Sequence, residues 1–265
     1  MARDVADDRD ASGPGAVILT ETSSSSSTSM DTDEVDSDTE QRRRRLRQAA
    51  RRRSSSPVCE EYEKMVSGQP FRVLQSPELQ ARKLRARRFC AKYNEEIIPN
   101  DASIPPDQMF QFLRDRREKL LRSILGEVGA EPVLEPPFNF LYGTNISLGD
   151  KVYANVNLRI HDSGLVTIGH RVLIAPNVTI LTERHDKDVQ SRRDGVVYTR
   201  PVSIGDDCWI GAGATILPGV SIGRGTTIGA GSVVTRSIPP FSVAWGVPAR
   251  VVHGVDDPDA KPAAG

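Results

Sequence analysis

Four histidines are the groups in this chain best suited to moving a proton near neutral pH: His161, His170, His185 and His253. An imidazole has an unperturbed pKa of about 6.5, so its neutral form can take a proton from a hydroxyl at physiological pH. Their sequence settings differ. His170, in "TIGHRV", sits among regularly spaced aliphatic residues, where a solvated corner residue is expected. His161 belongs to the short break "IHDSG", and His253 to the C-terminal segment. Only His185 lies in a long stretch that loses the aliphatic pattern, "LTERHDKDVQSRRDGVVYTRP". The three cysteines, Cys59, Cys90 and Cys208, show no paired metal spacing, and no metal site is expected from them. Their odd number, with no recognisable signal peptide, points to reduced thiols inside a cell.

The elements that would hold His185 follow from a six-residue period. Ile204, Ile210, Ile216, Ile222, Ile228 and Val234 recur every sixth position, and Val202, Cys208, Ala214, Val220, Thr226 and Ser232 stand two residues before them. Neither the 3.6-residue period of a helix nor the alternation of a single strand produces this. A hexapeptide repeat is a β-helix signature, each repeat giving one short strand and one turn. Three repeats make one triangular coil, with the aliphatic and the small residue both inside. Gly205, Gly211, Gly223 and Gly229 follow four of the aliphatics and are expected to ease the corners. The same phase holds at Ile168, Ile174 and Ile180, and Ile180 to Ile204 spans four repeats. The segment carrying His185 therefore reads as a loop thrown out from one corner that re-enters in register. An earlier turn fits Ile146, Val152 and Leu158, after which "IHDSG" shifts the phase. The prism is expected over about residues 140–236. Flat faces of such coils pack on neighbouring chains, so a symmetric closed oligomer is expected.

Composition divides the rest. Lys+Arg and Asp+Glu are both 35 in 265 residues, which excludes a globally basic nucleic-acid-binding balance. No apolar run approaches the roughly 18 residues of a membrane span. Residues 1–56 hold a serine run, an acidic stretch and "QRRRRLRQAARRRSSSP", almost without large apolar residues, and read as a disordered tail. A soluble cytoplasmic protein is the default, and the arginine run at 42–53 leaves a nuclear location or a nucleic-acid contact of the tail open. Residues 57–130 read as a small helical domain: Gly68 would cap a first helix, and Ser76 with Pro77 would start a second bearing Leu79, Leu84, Phe89 and Tyr93. A third, with Phe112, Leu113, Leu120, Leu121, Ile124 and Leu125, would end at Gly126 or Gly129. Residues 131–253 are assigned to the β-helix and its C-terminal cap, and 254–265 to a flexible tail.

The stretches "EPPFNFLYGTNISLGDKVYANVNLRIHD", "VTIGHRVLIAPNVTILTERHD" and "RPVSIGDDCWIGAGATILPGVSIGRGTTIGAGSVVTRSIPPFSVAWGVPARVV" resemble the maltose/galactoside O-acetyltransferase group, which includes nodulation-type acetyltransferases. The segment "MVSGQPFRVLQSPELQARKLRARRFCAKYN" is similar to that family's helical domain, and the likeness runs from about 60 to 253. The resemblance implies a mainly β protein, a left-handed parallel β-helix behind a small helical domain. It implies acetyl-CoA as co-substrate, no metal, a homotrimer with the cofactor in a cleft between prisms, and a sugar-like hydroxyl acceptor.

It also implies roles. His185, after "LIAPNV", matches the family's catalytic base, and Asn155 in "YANVN" an asparagine at the reacting centre. Tyr153 and Asp162 match acceptor-side positions, with Ser163 as the alternative to Asp162 one residue on. Trp209, Ala212, Ala230, Thr235, Arg236 and Arg250 match positions lining the CoA site. Arg236 stands where lysine is frequent in the family, and either can attract phosphate. Two departures lie on the acceptor side: Leu141 before "YG", where some members have serine or aspartate, and Arg72 and Val73 after Phe71, where some have an acid. Competing readings are a serine or xenobiotic acetyltransferase, a catalytically silent β-helix scaffold, and a γ-type carbonic anhydrase. The last needs three zinc-binding histidines, and no third joins His170 and His185.

Overall fold

The computed structural model describes residues 59–95, 98, 99 and 103–260. The serine- and arginine-rich tail, with the location it was expected to bear on, lies outside the described residues. Among the described residues three helices come first: α1 (Glu60–Ser67), α2 (Pro77–Asn94) and α3 (Pro106–Arg122). Gly68 takes the left-handed conformation, φ 80°, and caps α1, while the Ser76 hydroxyl accepts the Leu79 N–H at 3.2 Å to start α2. The buried stripe of α2 is Leu79, Ala86, Cys90 and Tyr93. Leu84, expected on it, lies about 140° round the helix from Leu79 and is exposed. Helix α3 ends at Arg122, short of Gly126, because Ile124 and Leu125 turn inward and the Gly126 N–H bonds the Gly143 carbonyl. Phe112, also expected on its apolar side, is exposed. No helix among the described residues is long and apolar enough to cross a membrane.

The rest is the left-handed parallel β-helix. Its first coil is β1 (Glu127–Val128), β2 (Val133–Leu134) and β3 (Phe138–Phe140). The second is β4 (Ile146–Leu148), β5 (Tyr153–Ala154) and β6 (Leu158–His161), and the third β7 (Val166–Ile168), β8 (Leu173–Ile174) and β9 (Thr179–Leu181). The chain then leaves the prism through β10 (Glu183–Arg184), α4 (Val189–Arg193) and β11 (Tyr198–Thr199). It returns for a fourth coil, β12 (Val202–Ile204), β13 (Trp209–Ile210) and β14 (Thr215–Ile216), and a fifth, β15 (Ser221–Ile222), β16 (Thr227–Ile228) and β17 (Val233–Val234). The hairpin of β18 (Ser242–Gly246) and β19 (Ala249–Gly254) closes the end. Face 1 stacks β1, β4, β7, β12 and β15; face 2 stacks β2, β5, β8, β13, β16, β18 and β19; face 3 stacks β3, β6, β9, β14 and β17. The prism thus begins one coil earlier than residue 140.

Both members of each hexapeptide pair point inward: Val202 with Ile204, Cys208 with Ile210, and Ala214 with Ile216 are buried. Each aliphatic side chain so enclosed is worth roughly 1.5–3 kcal/mol. Registers run Leu148, Ile168, Ile204, Ile222 up face 1. Ile146, Val152 and Leu158 therefore occupy the first position of each pair, not the second. The change of phase comes from two extra residues at the edge between faces 3 and 1, where Ile160 and Ile168 are eight apart. Cys59, Cys90 and Cys208 are free thiols, and burial pushes that of Cys208 up to about 11.

The glycines after the aliphatics serve another purpose than expected. None of Gly205, Gly211, Gly223 and Gly229 has positive φ. A Cβ on Gly211 would lie 2.6 Å from the backbone nitrogen of Ala230 in the next coil, so the residue is small because coils stack at roughly 4.8 Å. The left-handed corner residue comes two positions later, Gly213 at φ 69° above Asn177 at 63° and Asn157 at 65°. Gly211→Ala is expected to cost about 1–3 kcal/mol through overpacking, read as a lower urea midpoint. An unchanged midpoint would mean the coils have slack.

Candidate active site

The corners on the edge between faces 3 and 1 include residues 141–145 after β3, 162–165 after β6, and the 182–201 excursion after β9. The excursion is built, not loose. β10 and β11 pair antiparallel, Asp188 caps α4 by accepting the Ser191 N–H at 2.7 Å, and Phe71 exchanges both backbone hydrogen bonds with Val197 at 3.0 Å. The Thr199 hydroxyl donates to the Met65 carbonyl at 2.6 Å. The helical segment thereby holds the loop against the prism.

This fixes the Val196 carbonyl, and His185 Nδ1 lies 3.3 Å from its oxygen. A carbonyl only accepts, so Nδ1 carries the hydrogen and, in the neutral ring, Nε2 is left with its lone pair. His185 itself is exposed. A cleft of about 490 Å³ opens beside Val196, lined by Lys64, Arg72, Asp188, Asp194 and Tyr198 among others.

One level down, Asp162 does not face outward. It is fully buried; Oδ1 accepts the N–H of Leu141 at 2.8 Å and of Tyr142 at 2.9 Å, and Oδ2 that of Gly143 at 2.7 Å. Burial pushes its pKa up to about 6 against the pull of those donors. The carboxylate expected to meet the acceptor shapes the 141–143 turn instead. Asn145 locks the same corner, donating to the Asp162 carbonyl at 2.7 Å and accepting from the Tyr62 hydroxyl at 2.8 Å.

The carboxylate on the outer side is Glu183, which the sequence reading passed over. It accepts a short hydrogen bond from the Ser163 hydroxyl, and its other oxygen lies 3.9 Å from His161 Nδ1. Burial works to raise its pKa, but His161, Ser163 and the Lys83 charge outweigh it and hold Glu183 below the usual carboxylate range. The spacing of 20 residues between Ser163 and Glu183 matches one coil of this region and could have revealed the pairing.

The edge between faces 2 and 3 carries a different set. Asn155 follows β5, Ala212 follows β13 and Ala230 follows β16. They stack through Asn155 N–H to Ile174 O (2.8 Å), Ala175 N–H to Ile210 O (2.9 Å) and Gly211 N–H to Ile228 O (2.8 Å). The Asn155 side-chain oxygen accepts the Val156 N–H at 2.7 Å. Ala212 and Ala230 are exposed one coil apart. On face 2, Tyr153, Leu173 and Trp209 form an exposed row in register. Arg250 lies on β19 opposite Trp245, its guanidinium donating to the Ala249 carbonyl at 2.8 Å. Thr235 and Arg236 follow β17, on the His185 edge. The expected site residues thus divide between two edges. Asn155 and the start of the His185 excursion lie at opposite ends of face 3, whose strand β6 is roughly 13 Å long.

Comparison with known proteins agrees with this architecture. Residues 64–129 match the maltose acetyltransferase hexapeptide capping motif, and residues 201–236 the bacterial transferase hexapeptide of six repeats. Nodulation protein L of Rhizobium meliloti is 43% identical over 189 residues, covering 71% of this chain and 96% of that protein. The galactoside O-acetyltransferase of Escherichia coli is 47% identical over 145 residues, 55% of this chain and 71% of that one. A galactoside acetyltransferase solved in complex with coenzyme A superposes with a TM-score of 0.66 at 38% identity, over 76% of this chain and 94% of its own. With its capping helices, its hexapeptide coils and these relatives, the chain belongs to the maltose/galactoside O-acetyltransferase family, the hexapeptide-repeat acetyltransferases.

Proposed function

We propose that this enzyme transfers the acetyl group of acetyl-CoA to a hydroxyl of a sugar-like acceptor, with His185 as general base, at a seam between two copies of the chain in a trimer. The observation that carries this is the bond from His185 Nδ1 to the Val196 carbonyl, which leaves Nε2 bare and its ring oriented. As the acceptor oxygen bonds to the thioester carbon, Nε2 takes the hydroxyl proton. The tetrahedral adduct then collapses, the C–S bond breaks, and the imidazolium returns the proton to the departing thiolate. Asn155 is given the role of binding the acceptor or the reacting carbonyl through its amide.

The division of residues between two edges supports a shared site. Ala212, Ala230 and Asn155 line one edge of one prism, a narrow track for a rod-shaped cofactor, with Arg250 and Trp209 on the adjoining face. His185, Thr235 and Arg236 would come from the neighbouring copy. The exposed apolar row Tyr153, Leu173 and Trp209 supports burial against another chain. The E. coli relative's acceptor is a galactoside, as its name says, and the solved relative binds coenzyme A. A sugar hydroxyl and acetyl-CoA are therefore the first substrates to test.

Co-expression tests the seam. His185→Ala chains and Asn155→Ala chains, each inactive alone, are expected to regain about a quarter of wild-type thiol release from acetyl-CoA when mixed equally. Every mixed trimer then has one seam with both native residues, provided chains assort at random. No recovery would place both residues in one chain's site and overturn the shared arrangement.

A further inference from the structure

We propose that Glu183 is the acceptor-binding carboxylate of this site, gripping a second hydroxyl of the polyhydroxyl compound whose neighbouring hydroxyl His185 deprotonates, with His161 flanking the same hydroxyl. The proposal rests on His185 being the base.

Glu183 lies on β10 and His185 directly follows that strand, two positions on, the spacing at which an extended chain repeats its side-chain direction. Arg184, between them, points the other way and lies over the Tyr198 ring at 5.3 Å. One Glu183 oxygen is filled by the Ser163 hydroxyl. The other lies 3.9 Å from His161 Nδ1, too far for a hydrogen bond. The Glu183 side chain is 25% exposed and that of His161 43%, so a small molecule can reach both. A carboxylate in a partly desolvated corner with an unfilled oxygen is costly until a donor arrives, and an ionised carboxylate can only accept. Hydroxyl hydrogens are the donors that a sugar supplies in pairs.

The surroundings leave that task to Glu183. Asp162 is sealed beneath it with its oxygens spent on backbone N–H groups. Leu141 and Val73, partly buried against the cluster of Tyr62, Phe71 and Tyr142, offer only hydrocarbon. The Lys83 ammonium, 5.5 Å from the Tyr142 ring centre, adds to the pull of His161 and Ser163 that holds Glu183 below the usual carboxylate range.

The test uses the full chain with acetyl-CoA and three probes: methyl α-D-glucopyranoside, methyl β-D-galactopyranoside, and 1-propanol, which has no second hydroxyl. Glu183→Gln keeps the shape and the Ser163 contact. It is expected to lower kcat/KM for the better glycoside at least tenfold, mainly through KM, and at least fivefold more than for 1-propanol. His161→Ala should show the same bias more weakly. Equal losses on glycoside and propanol would make Glu183 a support of the loop and overturn the proposal. So would a glycoside KM within twofold of wild type, or a wild-type enzyme that prefers 1-propanol to both glycosides. His185→Ala in the same assay separates the two assignments: if it keeps full activity the base is misassigned, whatever Glu183 does.

Discussion

His185→Ala should lower acetyl transfer to a glycoside by about a hundredfold to ten-thousandfold, the range that a positioned acid–base group supplies. The loss should fall on kcat, with the KM for acetyl-CoA nearly unchanged, because in the proposed role the ring serves the reacting proton and not the cofactor's length. Its exposure and loop position mean that alanine leaves no cavity and no unpaired buried donor, only the Val196 carbonyl without this partner. Circular dichroism and sedimentation should therefore match the parent. Undiminished thiol release from the variant would remove His185 from the mechanism.

Asp162→Ala should act on stability, by about 3 kcal/mol or more. Its carboxylate answers three backbone N–H groups in a corner where water does not reach, and each buried donor left without a partner costs roughly 1–3 kcal/mol. Asp162→Asn should cost less, since one oxygen can still serve two of the donors while the amide nitrogen faces the third. Urea unfolding reads both. A loss below about 1 kcal/mol for the alanine variant would show that Asn145 and Tyr62 hold the turn unaided.

The prism was legible because a buried row cannot avoid periodicity. Isoleucines six apart at 204, 210 and 216 can only line the same interior, and the in-phase return after Ile180 identified the excursion without any coordinates. The helix caps at Gly68 and Ser76 were legible for the same local reason: each satisfies orphan backbone groups with one residue. What escaped were facts set by contacts between coils. The glycine at 211 looked like a turn residue, but its cause is a backbone 2.6 Å away in the next layer. Asp162 and Glu183 carry the same charge, and only the stacking of corners decides which is enclosed and which meets solvent. Leu84 and Phe112 were counted as core by being apolar, and helix geometry turned them outward.

The departure at Leu181 and return at Val202 leave the ladder undisturbed: Ile180 still pairs with Ile216, and Ile168 with Ile204. The scaffold keeps no count of what is inserted there. Evolution, or a designer, can therefore lengthen, shorten or exchange this cartridge while the folding instructions written in the spine stay legible and intact.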